Sequence, residues 1–289
     1  MNSSTVEWPT FILAGVIYGL FGLLIANYAA LPGWLTWPAG ALLLTWHSSL
    51  QHETVHGHPF SRRALNTAIG AIPLSLWLPY EVYRRSHLAH HRSELTHPDE
   101  DPESFYVTRQ HWRAASGGER AFRRAYHTFM GRLFFAPFVV VTTTTLRTLR
   151  ELSGGDRLLR IHVAVHVVTV GIIAWIIARS AVPWSVYIGA WVLPSVSLTA
   201  MRSFTEHRAL AEPESRSALV ESNAFWSLLF LYNNLHEVHH RHPQLPWYKI
   251  PRRYRSCGAD GELRFRGYLE IARRYAFTPH DAAEWPTEL

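Results

Sequence analysis

The sequence predicts an all-α integral membrane protein: about four transmembrane helices in two hairpins, with interfacial helices and a polar cap that carries clustered histidines. Three observations predict it. Apolar blocks free of Asp, Glu, Lys and Arg recur at 11–31, 161–178 and 184–201, and at 1.5 Å per residue each reaches about 27–32 Å, enough to cross a bilayer. Charge is segregated, with fifteen arginines in 52–160 and none in the turns 32–33 and 180–183. Nine histidines fall in four tight clusters just beyond apolar stretches.

Taken in order, block 11–31 is the first span. A Pro32-Gly33 turn follows, and the uncharged block 34–51, with His47 near its end, reads as the returning arm of a hairpin. Blocks 65–80 and 133–146 are short or interrupted at Pro73, Pro79 and Pro137, so they read as interfacial or re-entrant helices rather than spans. Blocks 161–178 and 184–201 form the second hairpin. Trp34, Trp37, Trp77, Tyr80, Trp184, Trp247 and Tyr248 sit near block ends, where amphipathic rings favour the headgroup region. The positive-inside rule places the arginine-rich segments and both termini on the cytoplasmic side, and an even number of crossings then brings all four clusters to one face. The expected organisation is a single domain over 1–289, with transmembrane hairpins at about 11–51 and 161–201 and cytosolic or interfacial segments at 52–160 and 202–289.

The net charge of +6 is almost wholly arginine. No nucleic-acid motif accompanies it; membrane lipid headgroups or an acidic partner account for it more simply. A single cysteine, Cys257, excludes a disulfide framework or a cysteine-ligated iron–sulfur cluster within the chain. The N-terminal MNSSTVEWP lacks a basic stretch and does not read as a cleavable signal.

The clusters are His52 and His56 in QHETVHG, His87, His90 and His91 in RRSHLAHHR, His207 in RSFTEHR, and His236, His239 and His240 in NNLHEVHHRHP. Residues at i, i+3 and i+4 share a helix face, so each cluster aims its imidazoles together. Imidazole suits iron, zinc, copper and nickel alike, but so many nitrogens exceed one ion and point to a pair. A lone membrane-edge histidine such as His207 is ordinarily a hydrogen-bonded structural group; its company argues for a ligand. His47, His58, His97, His242, His162, His166, His111, His127 and His280 read as supporting or structural. A ligating imidazole donates its other N–H to a neighbour, and Glu53, Asp99, Asp101, Glu206, Asn233, Asn234 and Glu237 are the candidates. The run 99–103 also reads as a solvated acidic turn, and the asparagines as helix caps.

These residues resemble the membrane-bound fatty acid desaturase and hydroxylase superfamily, whose pattern is the order His-x-x-x-His, His-x-x-His-His, lone His, His-x-x-His-His, here over about 35–255. Stretches such as SLWLPYEVYRRSHLAHHR and HPDEDPESFY look like bacterial desaturase-like proteins, including a type that acts on a small amino-acid ether. The resemblance implies a non-haem di-iron centre, with the nine clustered histidines as ligands, on the cytosolic side of a bacterial inner membrane. It implies an O2-dependent oxidoreductase that desaturates an alkyl or acyl chain of a lipid, drawing two electrons from a separate donor such as a ferredoxin, a rubredoxin or a cytochrome b5-like protein. In one branch an asparagine four residues before the lone histidine binds iron through water; here that position is Ser203.

Other readings stay open. The same scaffold carries hydroxylases and ketolases of lipids or carotenoids. His52-Glu53-Thr54-Val55-His56 fits the H-E-x-x-H pattern of zinc peptidases, which leaves the paired His-x-x-His-His boxes unexplained. A non-catalytic metal carrier is the third.

Overall fold

The computed structural model describes residues 6–257 and 263–286, and in them the chain is overwhelmingly helical. In chain order the helices are α1 (Trp8–Ala26), α2 (Gly33–Val55), α3 (Arg63–Gly70), α4 (Tyr80–His90), α5 (Arg109–Ala114), α6 (Gly117–Tyr126), α7 (Phe129–Ser153), α8 (Arg157–Arg179), α9 (Trp184–Ser203), α10 (Ala224–Leu229), α11 (His236–Arg241), α12 (Ile250–Cys257) and α13 (Tyr268–Tyr275). Strand β1 (Leu219–Val220) pairs in parallel with β2 (Arg264–Phe265). The chain divides into two compact units, Met1–Arg84 with Pro137–Val196 and Arg85–Ala136 with Ser197–Leu289. The chain ends, expected on the cytoplasmic side, lie outside the described residues.

In the first unit, α1 buries Leu13, Ala14, Ile17, Phe21 and Leu24 on one face, while Ile12, Val16, Leu20 and Leu23 stay exposed on the other. A helix apolar all round with half its surface unburied belongs in lipid. Helix α2 runs back along α1 and also packs against α3 and α9. Gly40 lets α2 approach Trp191, since a Cβ there would fall 2.3 Å from the indole. At its C-terminal end Gln51 Nε2 donates to Gly70 O (2.8 Å), and Tyr80 OH donates to Thr54 Oγ1 (3.0 Å). Those bonds fix the turn that carries His52 and His56.

Four helices are long and apolar enough to cross a membrane: α1, α7, α8 and α9. The set differs from the predicted one in a pair of members. Helix α2 forms as the expected returning arm but is not among the four, because it carries polar residues along its length: Thr36, Thr45, His47, Ser49 and Gln51, all buried inside the unit. The block 133–146, expected to be broken at Pro137, lies within the continuous 25-residue α7. Its threonines do not disrupt the helix, since Thr143, Thr145 and Thr148 each donate 2.8 Å back-bonds to the carbonyl four residues earlier.

The second unit has a small core of Leu219, Leu235, Val238 and Ile250 around α11. Buried Arg216 ties two loops together, donating to Glu94 Oε1 (3.0 Å), Leu95 O (3.1 Å) and Leu210 O (2.7 Å). The C-terminal segment straps the same region: Trp285 N donates to Val107 O (2.8 Å) and Trp285 Nε1 to Thr96 Oγ1 (3.1 Å). The segment between α4 and α5 is thereby held against the loop that carries His207.

Replacing Gly40 with Ala should lower the thermal midpoint of detergent-purified protein by the equivalent of about 1–3 kcal/mol of overpacking. Gly19→Ala, which meets nothing within 4 Å, should leave the midpoint unchanged.

Candidate metal centre

Two helices of the second unit face each other with the same histidine spacing. On α4 and the turn after it stand His87, His90 and His91; on α11 stand His236, His239 and His240. A helix period of 3.6 residues puts i and i+4 nearly in line and rotates i+3 away from them. The structure uses that offset reciprocally. His87 and His91, the i and i+4 pair of the first helix, group with the i+3 residue His239 of the second, whereas His236 and His240 group with the i+3 residue His90 of the first and with His207. The groups adjoin where His91 stacks on His240, with ring centroids 4.2 Å apart.

Within each group the Nε2 atoms converge. His207 Nε2 lies 3.1 Å from that of His90 and 3.0 Å from that of His236, which is 3.0 Å from that of His240. In the other group His91 Nε2 lies 3.1 Å from both His87 Nε2 and His239 Nε2. The outward nitrogens decide what those contacts are. His90 Nδ1 lies 2.8 Å from Asp101 Oδ1, His87 Nδ1 3.2 Å from both oxygens of Glu103, His236 Nδ1 3.0 Å from Asn233 Oδ1, and His207 Nδ1 3.3 Å from Ser217 Oγ. A carboxylate or amide oxygen accepts, so the Nδ1 atoms of His87, His90 and His236 carry hydrogen and their Nε2 atoms present lone pairs. The lone pairs of His90 and His236 face His207 Nε2, that of His236 also faces His240 Nε2 and that of His87 faces His91 Nε2, a convergence of buried imidazoles that a metal ion fits.

Nitrogens that share one ion at about 2.1 Å lie about 3.0–3.4 Å apart, so the observed edges are compatible with shared ligation.

Electrostatics divide the rings: at His90 burial works downward, but the Asp101 carboxylate holds the imidazole above the usual histidine range, whereas three others favour the neutral, ligating form. Burial holds the imidazoles of His207, His236 and His240 well below the usual histidine range. Burial alone would raise the Glu103 carboxyl, but His87 beside it holds it below the usual carboxylate range. Burial pushes Glu206 up to about 7, against the pull of the Arg202 guanidinium 2.9 Å away. Glu206 also lies 3.6 Å from His236 Nδ1.

Asp101 and Asn233 therefore stand directly behind site histidines, with Glu206 close by. Other candidates have different surroundings. Glu237 pairs with Arg241 (2.7 Å), Asn234 donates to Val220 O (2.7 Å), and Asp99 is exposed. Sequence reasoning missed Glu103 and Ser217; the alternation Asp101, Glu103 in the acidic run was the one available signal for the first, and nothing marked the second. In the first unit His52 and His56 occupy the end of α2 with ring centroids 4.7 Å apart, and Glu53 lies 4.0 Å from His52 Nδ1. Ser203 Oγ bonds back to Ala200 O at 3.3 Å. Of the remaining histidines, His58 pairs with Glu7 (2.8 Å), His111 with Glu119 (2.7 Å), and His97 packs on Trp285.

Comparison with known proteins agrees with this chemistry. The family model described as fatty acid desaturase matches residues 26–268. The chain is also similar to a beta-carotene ketolase of Paracoccus sp. (strain N81106 / MBIC 01143), 26% identical over 242 residues that cover 79% of this chain and 78% of that protein.

Asp101→Asn should let the His90 ring change tautomer and lower metal affinity by about 10–100-fold, read as faster metal loss in a chelator challenge. Glu103→Gln should act in the same way through His87, while Asp99→Asn should leave metal retention unchanged.

Proposed function

Because the chain belongs to the fatty acid desaturase family, we propose that it is a membrane di-iron oxidoreductase that desaturates an alkyl or acyl chain of a lipid with O2 and two external electrons. The observation that carries the proposal is the convergence of buried imidazole nitrogens 3.0–3.1 Å apart, with Glu103, Asp101 and Asn233 behind the rings of His87, His90 and His236. The ligand set we assign is His52, His56, His87, His90, His91, His207, His236, His239 and His240, within one catalytic domain over 1–289. The family's order of boxes supports the inclusion of His52 and His56.

Bound iron would supply the reduction of O2 and the removal of hydrogen from an unactivated C–H bond. For desaturation the balance is one O2, two electrons and two protons taken up, two hydrogens removed from the chain and two waters released. The protein's own part is orientation. Asp101, Glu103, Asn233 and Ser217 hold the rings of His90, His87, His236 and His207, and the burial of these rings keeps bulk water away. Precision matters here, since an error near 1 Å in placing the reacting carbon costs about a hundredfold in rate.

A second reading has a specific observation in its favour. The similar Paracoccus protein is named for a ketolase reaction on beta-carotene, so oxygen insertion into a carotenoid ring carbon is the alternative outcome on the same scaffold. The zinc-peptidase and metal-carrier readings gain no support from the family match.

The electrons come from a separate acidic carrier docking on the exposed Arg241, Arg252, Arg253 and Arg255 of α11 and α12. Arg241 follows His239 and His240 directly, and the stretch between α10 and α13 shows no exposed large hydrophobic side chain among the described residues. A polar, cationic face of that kind suits salt-sensitive encounter with an acidic partner. The charge pattern favours an inner-membrane protein with the histidine boxes and termini in the cytoplasm.

Purified, reconstituted protein should hold about two irons per chain, since the histidines form two groups and imidazole suits iron; a single tightly held zinc would contradict the proposal. Expressed with a donor, the chain should yield a lipid product lighter by two hydrogens, or a carotenoid in which a ring CH2 has become C=O, read by mass spectrometry. His239→Ala should abolish either product. The double substitution Arg252→Glu, Arg253→Glu should raise the apparent KM for an acidic donor about tenfold at low salt and leave the organic substrate's KM unchanged.

A further inference from the structure

A second basic surface on the same unit has a different character. Helix α13 buries Tyr268, Ile271 and Tyr275, at spacings of three and four, so its inward face is fully used. Its outward face carries Leu269 (63% exposed) and Arg273 one turn later; exposed Arg266 precedes it and Phe277 (82% exposed) follows it. Cations and large apolar side chains thus alternate along one solvent-facing stripe. Helix α10 lies alongside, joined through Trp226 and Phe230, whose rings contact Tyr268 at 5.8 and 5.4 Å between centroids. It carries Phe225 and Leu228, both exposed.

We propose that the face formed by Phe225, Leu228, Leu269 and Phe277, with Arg266 and Arg273, is a membrane-contact surface that inserts its apolar side chains among the headgroups of anionic lipids. Three arguments single out lipid as the occupant. Large apolar side chains left in water are costly, and several of them on two adjoining helices beside arginines mark a contact surface. Arginine interleaved with Leu and Phe is the composition of helices that lie in the interfacial plane, where the guanidinium meets phosphate while its aliphatic stem and the apolar neighbours sink toward the acyl chains. Helices α7 and α9 carry the chain without a break from this unit toward the apolar stretches 137–153 and 184–196, which tethers the unit at a bilayer surface. The arginines of α12 lack such apolar company, which separates a polar docking face from a lipid-facing one.

The experiment uses the full chain in nanodiscs, in a Cys257→Ser background, with a nitroxide label at Leu269→Cys, at Phe277→Cys, or at exposed Gln244→Cys as reference. Labels at 269 and 277 should be relaxed by O2 and shielded from an aqueous nickel chelate, and the label at 244 the reverse. Adding phosphatidylglycerol to phosphatidylcholine should deepen the first two, and Arg266→Glu with Arg273→Glu should abolish that increment. If 269 and 277 are as open to the aqueous reagent as 244, the proposal fails. Shielding from both reagents would mean that protein covers the face, and also overturns it. Immersion that ignores both anionic lipid and the arginine substitutions would overturn the assignment of the headgroup contact. None of these readouts depends on turnover or on iron, so failure here is distinguishable from failure of the assigned reaction.

Discussion

The second unit is organised around a convergence of buried imidazoles. Nε2 atoms from α4, the turn after it, α11 and the His207 loop lie 3.0–3.1 Å apart, a dense set of nitrogens in a dry interior that a metal ion would satisfy. Much of the surrounding architecture holds that arrangement. Asp101 accepts from the backbone of Thr96 and Glu103 (2.9 Å each) as well as facing His90, so a single carboxylate fixes both a loop and a tautomer. Glu103 is in turn positioned for His87.

The scaffold behind those carboxylates joins polar contacts to an apolar cluster of Tyr106, Ala209 and Trp285. Arg216, the strap through Trp285 and Val107, and the short β1–β2 pair converge on the loops that bear Asp101, Glu103, Ser217 and Asn233. These are the connections a loop-rich site needs, since few of its residues lie in regular elements that would satisfy their backbone groups. The reciprocal use of the two helices follows from the same economy of space. An i, i+4 pair and an i+3 neighbour diverge by the geometry of the helix, so two facing helices with one repeated motif form two histidine groups without any residue being shared.

The surface of the unit is differentiated by what accompanies its arginines. On α11 and α12 they stand among polar side chains, a setting that rewards fast, screened encounters with an acidic protein. On α13 they alternate with Leu and Phe, which rewards burial in an interface that is itself amphipathic. Net charge alone does not distinguish these; neighbours at helical spacing do.

Much of this was legible in the sequence because it is encoded locally. Uncharged runs of span length, the Pro32-Gly33 turn and the twice-repeated His-x-x-His-His spacing each depend on neighbours within a few turns, and helical periodicity converts them directly into faces. Asp101 and Asn233 were found because they lie close to the histidines they face. Decisions that join distant segments were not legible. Helix α7 runs on through Pro137, where Ser197 Oγ donates (2.7 Å) to the Leu133 carbonyl that the missing N–H leaves free, while α2 gathers buried polar residues against its neighbours. Ser217 meets His207 through a loop held by Arg216. The division of the histidines into two groups was settled by how α4 and α11 face each other, since spacing places a ring on a helix and only packing between helices determines which rings meet.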